Sequence, residues 1–147
     1  MFILQSEQSE QVTPAGGRRV GGGVGCLAMK LLRLAHVNLR VPDLTAAVAF
    51  YRDLLDLEPI KRLDPTGTGA WFRLGESEVH LTSDDAPQPP SGRHFACEVE
   101  GLAELKRKLI AAGRPIEKDE GRRFFTRDPG GNRIELINAE GAEGQRL

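Results

Sequence analysis

The feature of this chain that most constrains its fold is an internal repeat of roughly fifty residues. The segment "RHFACEVEGLAELKRKLIAAGRPI" can be laid over "AHVNLRVPDLTAAVAFYRDLLDLEPI" with a two-residue gap, so that His94 falls on His36 and Leu102 on Leu44. Each copy begins with alternating apolar residues, typical of a half-buried strand, and continues with apolar residues at helical spacing. Three short strand candidates, "EPIKRL", "AWFRLG" and "SEVHLTS", follow the first helix. The pattern predicts two βαβββ modules.

One such module cannot cover both faces of its own sheet, so two modules are expected to pair. The predicted fold class is α+β, with a curved mixed sheet that encloses a cleft and with the helices outside. The predicted domain spans residues 31–139, with module 1 at 31–84, a proline-rich linker at 85–91 and module 2 at 92–139. Residues 1–30 are polar and then glycine-rich, which is typical of a disordered tail, and residues 140–147 form a second tail. Met29 is a candidate start of translation.

Composition and charge exclude several classes of partner. The 20 basic and 21 acidic residues leave a formal net charge of −1, so the chain has no field that would gather nucleic acid. No apolar run approaches the ~18 residues of a spanning helix, which argues against a membrane partner. Two cysteines, Cys26 and Cys97, are too few for a disulfide framework. The sequence therefore predicts a cytoplasmic protein with a small-molecule partner.

The strand alternation predicts which side chains line the cleft. In "LAHVNLRV" the apolar residues alternate with His36, Asn38 and Arg40, and the same argument places His80, His94 and Glu135 on the face away from the helices. A single histidine there would have an ordinary structural explanation as a half-buried residue. Three histidines and a glutamate on equivalent strands instead favour a divalent metal site, because neutral imidazoles and carboxylates are typical ligands of such ions.

The duplication, together with "HVNLRVPDLTAAVAFYRDLL" and "FFTRDPGGNRIELI", resembles the vicinal oxygen chelate superfamily over residues 31–139. That superfamily includes glyoxalases, methylmalonyl-CoA epimerases, extradiol dioxygenases, fosfomycin-inactivating enzymes and bleomycin-binding proteins. The resemblance implies metal ligands on the first and fourth strands of each module, a cleft built within one chain or across a homodimer, and Zn, Ni, Mn, Co or Fe as the ion. The ligands that it implies are His36, His80, His94 and Glu135, of which the position of His80 varies most in the family.

The resemblance favours a glyoxalase-like isomerase or lyase acting on a substrate with vicinal oxygens. Three imidazoles and one carboxylate leave a divalent ion with a formal charge of +1, which would stabilise an oxyanion. Glu135 is the candidate ligand and base, with Glu78 and Glu98 as alternative bases. Three further side chains are candidates for substrate binding: Trp71, Arg73 and Asn38. For Trp71 and Arg73, a tryptophan at the rim of the cleft and a solvated arginine are equally good explanations.

Three other functions remain open at the level of sequence. An extradiol-type dioxygenase would need further proton-handling residues, but every histidine is assigned to the metal and Tyr51 lies on the core side of a helix. A metal-free drug-binding protein of the bleomycin type would need more aromatic stacking surface than one Trp, one Tyr and six Phe supply. A fosfomycin-type thiol transferase would need a cationic cage for a phosphonate, for which the candidates are Arg40, Arg73, Arg127 and Arg133.

Overall fold

A computed structural model describes residues 30–63, 67–85 and 91–140. The predicted N-terminal tail apart from Lys30, most of the predicted linker and the chain beyond Glu140 lie outside the described residues. The elements are, in chain order, β1 (His36–Val41), α1 (Leu44–Ala49), a π-helical segment (Phe50–Leu54), β2 (Pro59–Ile60), β3 (Gly69–Leu74), β4 (Ser77–Ser83), β5 (His94–Val99), α2 (Leu102–Ala111), β6 (Arg123–Arg127) and β7 (Arg133–Asn138).

The strands form two mixed sheets with matching topology, which confirms the predicted α+β class. The first sheet has the order β1-β4-β3-β2, and the second has the order β5-β7-β6. The first and last strands of each module run parallel, and the remaining pairs are antiparallel. No strand pairing among the described residues joins the two sheets.

The second module differs from the first at the strand that follows its helix. Where the first module has β2, the second has a single antiparallel bridge between Glu117 and Phe125. Lys118 has a positive φ of 46°, which an extended strand does not allow. The predicted βαβββ pattern is therefore complete in module 1, whereas in module 2 the second strand is reduced to one bridge.

The first helix begins after the N-cap Asp43 and then widens. The Asp43 carboxylate accepts a hydrogen bond from the Ala46 amide at 2.9 Å, as expected for an N-cap. From Phe50 the backbone is π-helical, with the Leu55 amide bonded to the Phe50 carbonyl at 3.1 Å. The periodicity predicted one amphipathic helix here. The wider turn leaves Tyr51 fully buried beside a buried Phe50.

The second helix follows its apolar pattern closely. Leu102 and Leu109 are buried against the core, and the chain leaves the helix through Gly113 at a φ of +68°. This left-handed conformation is the one that a C-terminal glycine adopts without steric cost. Among the described residues, no helix has the length and apolar character needed to cross a membrane.

A buried polar contact ties the two modules together through one core. The Tyr51 hydroxyl donates to Asp128 Oδ2 at 3.0 Å, and Asp128 Oδ1 accepts from the Asn132 amide at 2.8 Å. The Asn132 side chain also donates to the Arg40 carbonyl at 3.0 Å, which links the turn before β7 to β1. Burial, and then the nearby Asp128 carboxylate, raise the pKa of Tyr51 well above its ordinary value. The tyrosine therefore stays protonated and acts as a donor.

Candidate metal centre

The predicted polar face of the first module is present in the structure. Strands β1, β4 and β3 lie side by side, so that His36 is opposite Glu78 in β4 and Trp71 in β3 is opposite His80. His36 is exposed, whereas His80 is 9% exposed. The alternation thus placed both histidines of this module correctly on one face.

Three rings on this face form a continuous stack. The Trp71 and His80 rings are parallel, with centroids 3.9 Å apart and an interplanar angle of 1°. The His80 and His36 rings follow with centroids 4.2 Å apart and an angle of 11°. His80 is therefore held between an indole and a second imidazole, and the sequence pattern gave no sign of this stack.

Two hydrogen bonds connect side chains in and beside this stack. His80 Nε2 lies 2.7 Å from Glu78 Oε2, and because a carboxylate accepts, the imidazole nitrogen donates in this contact. The Thr82 hydroxyl donates to Asn38 Oδ1 at 2.9 Å. The predicted substrate residue Asn38 thus shares the face with the two histidines.

The second module brings its two predicted ligands into direct contact. His94 Nε2 and Glu135 Oε2 are 3.1 Å apart, and the Glu135 side chain is only 9% exposed. His94 Nδ1 lies 2.9 Å from the Gly92 carbonyl. The Phe125 ring meets the His94 ring edge to face at 5.0 Å. The imidazole is therefore fixed in both position and orientation.

The side chains of His94 and Glu135 are of the types that divalent ions bind. A carbonyl oxygen can only accept, so Nδ1 of His94 donates to Gly92, and Nε2 is the ring nitrogen that faces Glu135. Two ligands of one ion with bonds of about 2 Å lie about 3 Å apart, which matches the observed separation. The donor set thus fits a divalent ion.

Sequence reasoning missed one residue of this arrangement, Arg123. Its Nη1 donates to Glu135 Oε1 at 3.1 Å, and its Nε donates to Glu120 Oε2 at 2.7 Å. These contacts raise the pKa of Arg123, chiefly through the bond to Glu120. The alternation in "RRFFTR" could have identified it, because Arg123 and Phe125 share the face of β6 that carries Glu135 on the neighbouring strand.

The structure brings the four predicted ligands together as two pairs and not as one group. His36 contacts His80, and His94 contacts Glu135. Within the described part of a single chain, no cluster of three or more His, Cys, Asp or Glu side chains could hold a metal ion. One of the predicted alternative bases, Glu98, is exposed on β5, and Glu78 contacts His80.

The arginines considered for a cationic cage have carboxylate partners. Arg40 pairs with Asp84 at 2.8 Å, and Arg73 lies 3.7 Å from Glu58. Both remaining arginines pair with Glu117, whose pKa falls below its ordinary value mainly because Arg127 donates a hydrogen bond to it. Their distances to Glu117 are 2.7 Å for Arg127 and 3.1 Å for Arg133.

A groove of about 770 Å³ separates the two sheets at their edge strands. Its walls come from β1, from the start of β5 and from the turn that precedes β7, and they include Asn38 and His94. The volume is in the range of small-molecule sites. A predicted ligand and a predicted substrate residue thus share one accessible groove.

Comparison with known proteins identifies the family. Residues 33–136 match the model of the Glyoxalase/Bleomycin resistance protein/Dioxygenase superfamily. The chain is 35% identical over 116 residues to "Glutathione transferase FosA" of Serratia marcescens, covering 72% of this chain and 80% of that protein.

Solved structures share the fold. A crystal structure of a Bacillus anthracis protein assigned to the glyoxalase family has a TM-score of 0.67 at 29% identity and covers 76% of this chain and 98% of that one. A variant of the fosfomycin resistance protein FosX from Listeria monocytogenes has a TM-score of 0.68 at 22% identity, covering 80% and 98%. That crystal contains Mn(II) and 1S,2S-dihydroxypropylphosphonic acid. The resemblance read from the repeat is confirmed: the chain belongs to the Glyoxalase/Bleomycin resistance protein/Dioxygenase superfamily.

Proposed function

We propose that this protein is a divalent-metal-dependent enzyme that acts on a small substrate carrying two vicinal oxygens. The observation that carries the proposal is the contact between His94 Nε2 and Glu135 Oε2 at 3.1 Å, with Nδ1 of the imidazole committed to a backbone carbonyl. Histidines that bind metals commonly donate their other ring nitrogen to a backbone carbonyl in this way, which orients the ligating nitrogen. The Mn(II) in the related Listeria structure is an ion of the proposed kind.

The third ligand in this proposal is His36 of a second copy of the chain. His36 and His94 are both exposed, and one chain does not gather three ligands among its described residues. A homodimer that places the polar face of one module 1 against the polar face of the other chain's module 2 would complete the site. Each dimer would then hold two equivalent centres, as two-fold symmetry requires.

A bound divalent ion would supply Lewis acidity, stabilising negative charge on the two substrate oxygens. Glu135 suits the role of ligand better than that of base, because His94 and Arg123 occupy its two oxygens. We assign proton transfer to Glu78, which lies opposite His36 on the neighbouring strand. The reaction proposed is a glyoxalase-like isomerisation or lyase step in which Glu78 moves a proton next to a carbonyl.

A thiol transfer of the fosfomycin type is the second candidate, favoured by the 35% identity to the glutathione transferase of Serratia marcescens. The ion pairs of Arg40, Arg73, Arg127 and Arg133 weigh against it, because a phosphonate would have to displace a carboxylate from each. The two candidates predict different substrates. Purified protein loaded with Mn²⁺ is assayed with the glutathione adduct of an α-ketoaldehyde and, separately, with fosfomycin and glutathione.

The metal site is tested by complementation between two defective chains. Neither His36→Ala nor Glu135→Gln alone should bind Mn²⁺ at the wild-type affinity by calorimetry. A refolded mixture should regain one tight site per mixed dimer, because His36 of one chain then meets His94 and Glu135 of the other. A mixture that regains nothing, beside a wild type that binds one ion per chain, would place all ligands in a single chain. A wild type without stoichiometric metal would instead favour a metal-free binding protein.

A further inference from the structure

We propose that His80 is a positioning residue that holds His36 in place, and that it is not a metal ligand. The inference rests on the proposed function above, because it concerns how the proposed ligand His36 is presented. It departs from the expectation that the fourth strand of module 1 supplies a ligand. Three features carry it: the relative orientation of two rings, the hydrogen bond of His80, and the packing of His80 between two aromatic surfaces.

The ring planes exclude a shared ion. The lone pair of an imidazole nitrogen lies in the ring plane, so a bound metal lies in or near that plane, about 2 Å from the nitrogen. The His36 and His80 rings are stacked, with centroids 4.2 Å apart and planes only 11° from parallel. Two planes so nearly parallel meet far beyond the reach of a metal–nitrogen bond. An ion in the plane of His36 therefore lies well outside the plane of His80.

Ring nitrogen Nε2 of His80 and both faces of its ring are also in contact with other side chains. Its Nε2 donates to Glu78 Oε2 at 2.7 Å, which removes this nitrogen from ligation. Trp71 covers one face at 3.9 Å and His36 covers the other. The His80 side chain is 11% exposed, so turning it toward an ion would break the stack and uncover the indole.

The stack gives His36 a fixed orientation that its own surroundings do not provide. His36 is exposed at the start of β1, where a free side chain would sample several rotamers and lose that entropy on binding an ion. Contact with the buried His80 ring restricts this freedom before any ligand arrives. Preorganisation of this kind increases affinity without adding a ligand atom.

The test compares His80→Phe with His80→Ala. Phenylalanine keeps a flat ring but cannot bind a metal, whereas alanine removes the ring. We expect the Mn²⁺ dissociation constant of His80→Phe to stay within about threefold of wild type and that of His80→Ala to rise about tenfold, the scale of outer-shell effects. Trp71→Leu, which removes no metal-binding atom, should also weaken binding. Equal and large losses in His80→Phe and His80→Ala would show that His80 is a ligand and overturn the proposal.

A metal-free measurement keeps this inference separate from the proposed function. In the proton NMR spectrum of the metal-free protein, the ring current of His80 should shift the signals of the His36 ring protons upfield. We expect the shift to persist in His80→Phe and to vanish in His80→Ala. If neither substitution changes the chemical shift of the His36 ring protons, the positioning role of His80 is wrong. A wild type that shows the shift but binds no metal would overturn the proposed function alone.

Discussion

The two modules share a strand pattern but hold their candidate ligands by different forces. On the first module's face, His36 rests on a stack of rings that runs through His80 to Trp71. On the second module's face, Glu135 is held by the charged Arg123 and by contact with His94. The same duplicated scaffold thus supports one ligand by ring packing and the other by charge.

The difference predicts different responses to conditions. Ring stacking depends mainly on contact area and shape. Ion pairs near a surface depend on the ionisation of both partners and are screened by salt. We therefore expect the loss of a charged side chain to have a larger effect on the second module's face than on the first, and the following changes test that expectation.

The largest effect is expected where the two modules meet. Asp128→Ala removes the acceptor of the Tyr51 hydroxyl and of the Asn132 amide, leaving buried donors unsatisfied. We expect the free energy of unfolding to fall by about 3 to 5 kcal/mol. Denaturant titration followed by circular dichroism measures it. Tyr51→Phe keeps the ring and should cost about 1 kcal/mol.

The surface variant Asp53→Ala is the matched control, because its carboxylate pairs with the adjacent and equally exposed Arg52. Its unfolding midpoint should equal that of wild type. An Asp128→Ala protein as stable as this control would mean that the modules are joined by their apolar core alone.

The next effect concerns the charged support of the second module. Arg123→Gln removes the cation that donates to Glu135 Oε1, so the carboxylate can rotate away from His94. We expect Mn²⁺ to bind about tenfold more weakly, as for other residues that orient a ligand. Arg122→Gln, a change of equal charge at the adjacent position, is the control. Equal affinities of the two variants would show that His94 and the backbone suffice to orient Glu135.

Much of the fold was predictable from sequence because its signals are local. Alternation places each strand's side chains on known faces, so the shared face of His36 and His80 and that of His94 and Glu135 followed directly. The cap at Asp43 and the exit at Gly113 follow from the same kind of local preference. These features need no knowledge of distant parts of the chain.

The remaining features depend on contacts between distant residues. The π-helical turn at Phe50 directs Tyr51 to a carboxylate 77 positions away, which no local pattern specifies. The stack of Trp71 on His80 depends on ring orientations, and the alternation gives only the face. The loss of the second module's strand comes from the turn at Lys118, whose positive φ is unusual for lysine. Periodicity alone could not have predicted any of these.

A smaller effect should appear as a pH dependence of the second module. Bonds from Arg127, and then from Arg133, lower the pKa of Glu117 below its ordinary value. A carboxyl with a lowered pKa in the folded state contributes stability above the pKa of the unfolded chain, near ~4.3. That contribution is lost as the pH falls through the lower value. Glu117→Gln should therefore be less stable than wild type by about 1 kcal/mol above pH ~5, with the difference shrinking below pH ~4.

Urea titrations of both proteins between neutral and acidic pH measure this difference. Trp71→Leu serves as the counterpart from the first module, since it alters the stack without adding or removing an ionisable group. Its stability relative to wild type should not follow the same acidic profile. A difference for Glu117→Gln that stays constant across the range would mean that Glu117 acts through packing and not through charge.

The smallest effect is expected for the ion pair of the first module. Arg73 and Glu58 are 3.7 Å apart, and their side chains are 55% and 73% exposed, so water and salt screen their attraction. Arg73→Gln should change the free energy of unfolding by less than about 0.5 kcal/mol, and added salt should shrink that difference further. The same assay with Arg133→Gln, whose side chain is 10% exposed, should show a larger loss that added salt changes little. If Arg73→Gln lost as much unfolding free energy as Arg133→Gln, charge would support both modules alike. An exposed ion pair can have so large an effect only if it holds its strand in place.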